Sequence, residues 1–196
     1  GIIHSDYYEF NGTSDFVEIP ANIAPQLANS SFTIEFWAKQ EDLGTNYTLN
    51  QIPSTILEQG NYTTNEWLFL TITRYSPSND YILLLDVYGS QYINYNLSSS
   101  GIIFINTWNH YVITYDYITG IGKLYINGIE KQSITNSNKT TANGSMYIGH
   151  NHHAPGRGFG NECFIGELKL LRVWNDIRTE SEIQESISSD KTETLI

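Results

Sequence analysis

Cysteine is nearly absent. Cys163 stands alone, which excludes an internal disulfide framework. Basic residues are also scarce: 10 Lys and Arg face 21 Asp and Glu, a formal charge of -11. An acidic chain with no Lys/Arg cluster repels phosphate backbones, so nucleic acid is not an expected partner. No apolar run approaches the roughly 20 residues of a membrane helix. No secretory n-region and h-region precede the first strand signals, so any targeting segment lies outside this sequence. Charged residues are only 16%, which excludes a long charged helix or a disordered acidic tail. Pro-rich, Gly/Ser-rich and single-charge stretches are lacking, as are internal repeats. One domain is therefore expected over residues 1–188, with a polar tail or linker over 189–196.

What is present suits strands. There are 14 Tyr, 8 Phe and 4 Trp, beside frequent Ile, Thr and Val. The 15 Gly and the abundant Asn supply turns. Phe32 to Lys39 alternates, with Phe32, Ile34, Phe36 and Ala38 on one face and Thr33, Glu35, Trp37 and Lys39 on the other. Further strands are expected at Phe16–Ile19, Thr55–Glu58, Trp67–Tyr75, Tyr81–Tyr88, Gln91–Leu97, Trp108–Asp116, Lys123–Asn127, Ile129–Ile134, Ser145–Ile148 and Cys163–Trp174. Ser76 to Asp80 reads as a hairpin loop. Asn127-Gly128 favours a two-residue type I′ turn, because both residues tolerate positive φ. Strands at this spacing predict an all-β fold, a two-sheet antiparallel sandwich. The four tryptophans begin or end expected strands and are read as packing the sandwich rim. Near the end, Thr179 and Glu182 have the spacing of a capping box, and Ile183 and Ile187 make one apolar stripe, so a short docked helix closes the domain.

Several stretches resemble a known family. Phe10-Asn11-Gly12 with Asp15 to Ile19, the Phe32 to Trp37 strand, Trp108 to Asp116, Lys123 to Gly128, Met146 to Gly149, and Gly166 with Arg172 to Asn175 and Ser181-Glu182-Ile183 follow one another in family order. They resemble the LamG-like branch of the concanavalin A-like lectin/glucanase superfamily. More distantly they resemble the jelly-roll half of clostridial neurotoxin receptor-binding regions. The resemblance implies a jelly-roll sandwich. It also implies a non-catalytic carbohydrate-binding or adhesion module of a larger secreted or surface protein, toxins among them. A glycan or a cell-surface receptor would be the partner, outside the cell or on a cell or virion surface. The rival readings are a structural or protein-interaction module without a glycan ligand, and a glycan-degrading enzyme.

The chemistry of an enzyme is not evident. Glucanase relatives carry carboxylates on alternate residues of one strand, aimed at one sugar. No strand here does. Glu162 and Glu167 point to opposite faces, while Glu35 and Glu18 each sit alone among apolar neighbours. No Ser or Cys nucleophile motif accompanies the histidines. No cofactor is expected on these grounds. Calcium is implied only by the resemblance, near the first turn. Asn11 and Asp15 are the candidate ligands of a weak site there, because Asn11 replaces an Asp and the second family Asp falls at Lys169.

The most distinctive segment is the loop from His150 to Glu162. It gathers imidazole, guanidinium, amide, carboxylate and an aromatic ring, groups that suit sugar hydroxyls and a sugar's apolar face. His152, His153, Arg157, Phe159 and Asn161 are the candidate ligand-binding residues, with Arg157 suited to a carboxylated glycan. The alternative is a solvated loop whose glycines only permit the turns.

Overall fold

The computed structural model describes residues 2–3, 6–41, 51–61, 66–75, 80–87, 90–150, 152 and 163–192. Among these, two antiparallel sheets face each other as a jelly-roll sandwich. The seven-stranded sheet runs β1 (Ile2–Ile3), β2 (Tyr8–Asn11), β13 (Ile165–Trp174), β4 (Phe32–Gln40), β9 (Asn109–Asp116), β10 (Ile121–Ile126) and β11 (Ile129–Thr135). The six-stranded sheet runs β3 (Val17–Ile19), β12 (Met146–Ile148), β5 (Gln51–Asn61), β6 (Glu66–Tyr75), β7 (Asp80–Val87) and β8 (Ser90–Asn96). The expected hairpin connection at 76–79 lies outside the described residues.

The core follows the alternation. Phe32, Ile34 and Phe36 of β4, Tyr111, Ile113 and Tyr115 of β9, and Leu124 and Ile126 of β10 are all buried in one cluster. Leu171 and Val173 are half-buried against it. Leu57, Leu68, Leu70, Leu83 and Leu85 enter from the six-stranded sheet. Burying a side chain of this size contributes about 1.5–3 kcal/mol, so this facing set dominates stability.

Two local signals act as expected. Asn127 and Gly128 have φ of 51° and 78°, the two left-handed positions of the turn between β10 and β11. The helix α1 (Glu180–Thr192) is opened by a reciprocal cap, with the Thr179 N–H bonded to Glu182 Oε2 at 2.7 Å and the Glu182 N–H to Thr179 Oγ1 at 3.4 Å. It continues through Thr192, into the segment read as a polar tail. Ile183 and Ile187 pack on Val112 and Tyr125, with Trp37 beside them, covering the outer face of the seven-stranded sheet. Gln184 Nε2 donates to the Gly128 carbonyl at 2.7 Å and ties the helix to the turn.

Two elements differ from expectation. β5 extends well beyond Thr55–Glu58 at both ends. It includes Pro53, and β12 pairs only with Leu57–Gln59, so a proline at position 53 removes no ladder bond on that side. Trp37 lies within β4, facing the helix, and not at a strand end.

Candidate functional site

The loop that the sequence singles out has a closed base. The Gly149 N–H donates to the Ile56 carbonyl at 3.1 Å, and the Phe164 N–H donates to the Gly149 carbonyl at 2.8 Å. The Phe164 carbonyl in turn accepts the Gly12 N–H at 3.0 Å, and Thr55 bridges Cys163. The chain therefore leaves and re-enters the fold at one point, beside β5. Of the candidate binding residues, His153, Arg157, Phe159 and Asn161 lie outside the described residues, as does Glu162. His152 is described. Its N–H donates to Glu58 Oε2 at 2.6 Å, which fixes this part of the loop over the outer face of the six-stranded sheet.

There His152 joins an aromatic group that the sequence did not reveal. Its ring lies over Tyr147 with centroids 4.3 Å apart and planes 11° from parallel. Phe16 stands 6.1 Å from His152 and 5.7 Å from His150. Tyr147 is buried under this arrangement, whereas Phe16 keeps 43% of its surface exposed and His152 is exposed. Glu18 flanks the group and accepts the Tyr147 hydroxyl at 3.2 Å. Burial, and secondarily the neighbouring His152, hold the His150 imidazole below its ordinary pKa, and its Nδ1 has no hydrogen-bond partner among the described residues.

Strand register extends this group across the sheet. Glu18 of β3, Tyr147 of β12, Glu58 of β5, Phe69 of β6 and Asp86 of β7 are successive Cα partners, so they share one rung of the outer face. Acidic and aromatic side chains alternate along it. Beside the rung, the hydroxyls of Thr55, Thr71 and Thr73 are buried and lack a hydrogen-bond partner among the described residues. Such a group costs about 1–3 kcal/mol when left unsatisfied. No sequence motif marks this row, because its members come from five strands. Only the pairing register assembles them.

The remaining candidates part company with the site. Asn11 Oδ1 accepts the N–H groups of Thr13 at 2.9 Å, Ser14 at 3.0 Å and Asp15 at 3.3 Å, and Asp15 Oδ2 accepts the Asn11 N–H at 2.8 Å. These oxygens hold the turn together and face its amides, so the pair does not fit calcium. Among the described residues no cluster of three or more His, Cys, Asp or Glu side chains could hold a metal. Lys169 stands far along β13 from Asn11, which pairs with Ile165. Glu35 is not alone as expected: the fold buries it on the other sheet against His110 at 2.9 Å, Trp174 Nε1 at 3.2 Å and Arg172 at 3.4 Å. Glu167 pairs with Lys39 at 2.7 Å on that same sheet.

With the geometry in view, the profile of the concanavalin A-like lectin/glucanases superfamily, of laminin G type, matches residues 11–184. No curated protein matches the chain. Among solved structures it is similar to domain 4 of a GH43 extracellular arabinanase from Geobacillus stearothermophilus in complex with arabinotriose. That likeness has a TM-score of 0.60 at 22% identity, over 91% of this chain and 75% of that one. It is also similar to a heptameric SAP-like pentraxin from Limulus polyphemus (TM-score 0.63, 20% identity, 90% and 78% covered). The receptor-binding domain of botulinum neurotoxin D matches all of this chain with under half of its own (TM-score 0.65, 17% identity, 100% and 46% covered). At these identities the likenesses speak for the fold. No helix among the described residues is long and apolar enough to cross a membrane.

Proposed function

The chain belongs to the concanavalin A-like lectin/glucanase superfamily, and on that footing we propose that it is a non-catalytic glycan-binding module of a larger extracellular or surface protein. One observation carries the reading. His152 and Phe16 present exposed ring surface over the buried Tyr147, beside the exposed carboxylate of Glu18. A flat aromatic surface takes the apolar face of a sugar, and an adjacent carboxylate accepts its hydroxyls. The acidic rung favours a neutral glycan over the carboxylated one that Arg157 alone suggests. The solved neighbours support the reading in kind, since one was determined with arabinotriose and others are toxin receptor-binding domains.

Hydrolysis fits less well. Glu18 and Glu58 are separated by a whole strand, and Tyr147 occupies the space between them. His153, Arg157, Phe159 and Asn161 remain proposed contacts from the same loop. Contacts at a sandwich face are shallow, so single-site affinity is modest and avidity comes from the parent assembly.

The test is a glycan array with the isolated chain, followed by titration of the best neutral glycan. Phe16→Ala should weaken binding by about 0.5–1.5 kcal/mol and Arg157→Ala by about 1.5–3 kcal/mol. Stability should stay within about 0.5 kcal/mol for Arg157→Ala. Binding untouched by Phe16→Ala moves the site to another surface. No glycan binding leaves the protein-interaction reading in its place.

A further inference from the structure

A bulge in β13 decides what the outer face of the seven-stranded sheet carries. Strict alternation would send Lys169 and Arg172, three residues apart, to opposite faces. Instead Lys169 faces Trp37 of β4 while Arg172 already faces Glu35, so one residue more than the partner strand provides is looped out. Within the bulge Leu170 has φ of 51°, a left-handed conformation that a leucine adopts only against strain. That strained step puts both basic side chains on the outer face, and Arg172 is used there, on Glu35 at 3.4 Å.

Lys169 has different neighbours. Its ammonium lies 4.8 Å from the ring centroid of Trp108 and 5.5 Å from that of Trp37. Tyr7 completes the group and meets Trp108 edge-on at 6.0 Å. All four side chains are half-buried, so part of each ring remains open to a ligand. Ile183 and Ile187 of α1 border the group at Trp37. The pair of Lys39 and Glu167, one outward rung away, borders it on β4 and β13.

In a chain of net charge -11, the Lys169 ammonium makes no ion pair among the described residues. The outward carboxylates two residues before Lys169 and two before Trp37 are committed elsewhere, Glu167 to Lys39 at 2.7 Å and Glu35 to His110 at 2.9 Å. Indole faces attract an ammonium without cancelling its charge. An anion that reaches it forms a strong charge-assisted bond. A flat ring attached to that anion finds aromatic faces and edges to pack against.

We propose that this group on the outer face of the seven-stranded sheet binds a small aromatic carboxylate, its carboxylate on Lys169 and its ring against Trp108 and Tyr7. The site lies on the opposite sheet from the aromatic group at His152, and glycan binding plays no part in it.

The experiment is an NMR titration of the full chain with sodium phenylacetate and, in parallel, with phenylacetamide. The indole N–H signals of Trp37 and Trp108 report on the site, and that of Trp67, on the other sheet, is the control. Phenylacetate should shift the first two saturably, leave Trp67 in place, and bind at least about tenfold more tightly than the amide. Lys169→Gln should bring the acid down to the level of the amide, and Lys169→Arg should keep most of the difference. Sodium glucuronate, an acid with no aromatic ring, should bind more weakly than phenylacetate. Absence of saturable shifts at Trp37 and Trp108, equal binding of acid and amide, phenylacetate binding unchanged in Lys169→Gln, or glucuronate binding as tight as that of phenylacetate each overturns the proposal. If Lys169→Gln does not fold, the acid-to-amide ratio of the wild type and of Lys169→Arg decides.

Discussion

The side-chain amide of Gln132 bonds to both backbone groups of Asn94, donating to its carbonyl at 2.9 Å and accepting its N–H at 3.1 Å. Gln132 belongs to β11 and Asn94 to β8, the last strands of the two sheets on that side. One side chain thus does for β8 what a further strand would do, and blocks an open edge. Gln132→Ala should cost about 1 kcal/mol, the net value of exposed hydrogen bonds. Urea denaturation of the two proteins measures it. Gln132→Glu should be no better at neutral pH, because it sets a carboxylate against the Asn94 carbonyl.

Glu35 should be costlier. Burial by itself pushes its pKa up, but the bond and charge of His110, then Trp174 and Arg172, outweigh burial and hold it below its ordinary value. Removing one member of a buried charged set leaves the others uncompensated, at about 3–5 kcal/mol. Glu35→Ala should lose that amount at pH 7. Because the folded-state value is depressed, the contribution is present above the unfolded carboxylate pKa and fades as pH falls through the folded one. Wild type and Glu35→Ala should therefore converge in stability in strong acid, which melting curves across acidic pH will show.

These residues also mark how far the sequence could be read. Alternation in Phe32 to Lys39 and in Asn109 to Asp116 is local, and local pattern sufficed to sort the core face from the outer face. The Asn127-Gly128 turn and the Thr179–Glu182 cap are equally local. The loop at His150 stood out by its chemistry. Its landing place did not, because Tyr147, Phe16 and Glu58 meet it only through pairings between distant strands. Glu35 seemed isolated for the same reason: its partners lie 75 and more residues away. β5 runs past Thr55–Glu58 through Pro53 at one end and Gly60-Asn61 at the other, because the pairing with β6 carries these residues, and such a neighbour is a tertiary fact.

His150 gives a second pH signature, in a different range. Its pKa is lowered by burial and then by His152. Below an unfolded histidine value of about 6.5, the unfolded chain takes up a proton that the folded chain resists. Stability therefore falls as pH drops from there toward the folded value, and rises with pH across the same window. His150→Phe should flatten this part of the profile relative to wild type, with the acid limb from Glu35 intact. Identical slopes near pH 6 in the two proteins would contradict the assignment.

Gly149 tests the base of the loop. Its φ is +84°, and a Cβ there would stand 2.2 Å from Cε1 of the buried Phe10 ring. Gly149→Ala combines backbone strain with overpacking, together about 2–4 kcal/mol. For a chain of this size the melting temperature should fall by roughly 5–15 °C.

The hydrogen bond from Phe164 to Gly149 has a meaning for evolution and for engineering. That bond closes a base that the sandwich forms for its own reasons. Doubling the intervening length adds only about 0.6 kcal/mol of closure entropy. Length can therefore drift there at little cost in closure while the sandwich beneath stays constant, as with an interchangeable cassette. A designer can graft a foreign peptide between Gly149 and Phe164 on the same terms.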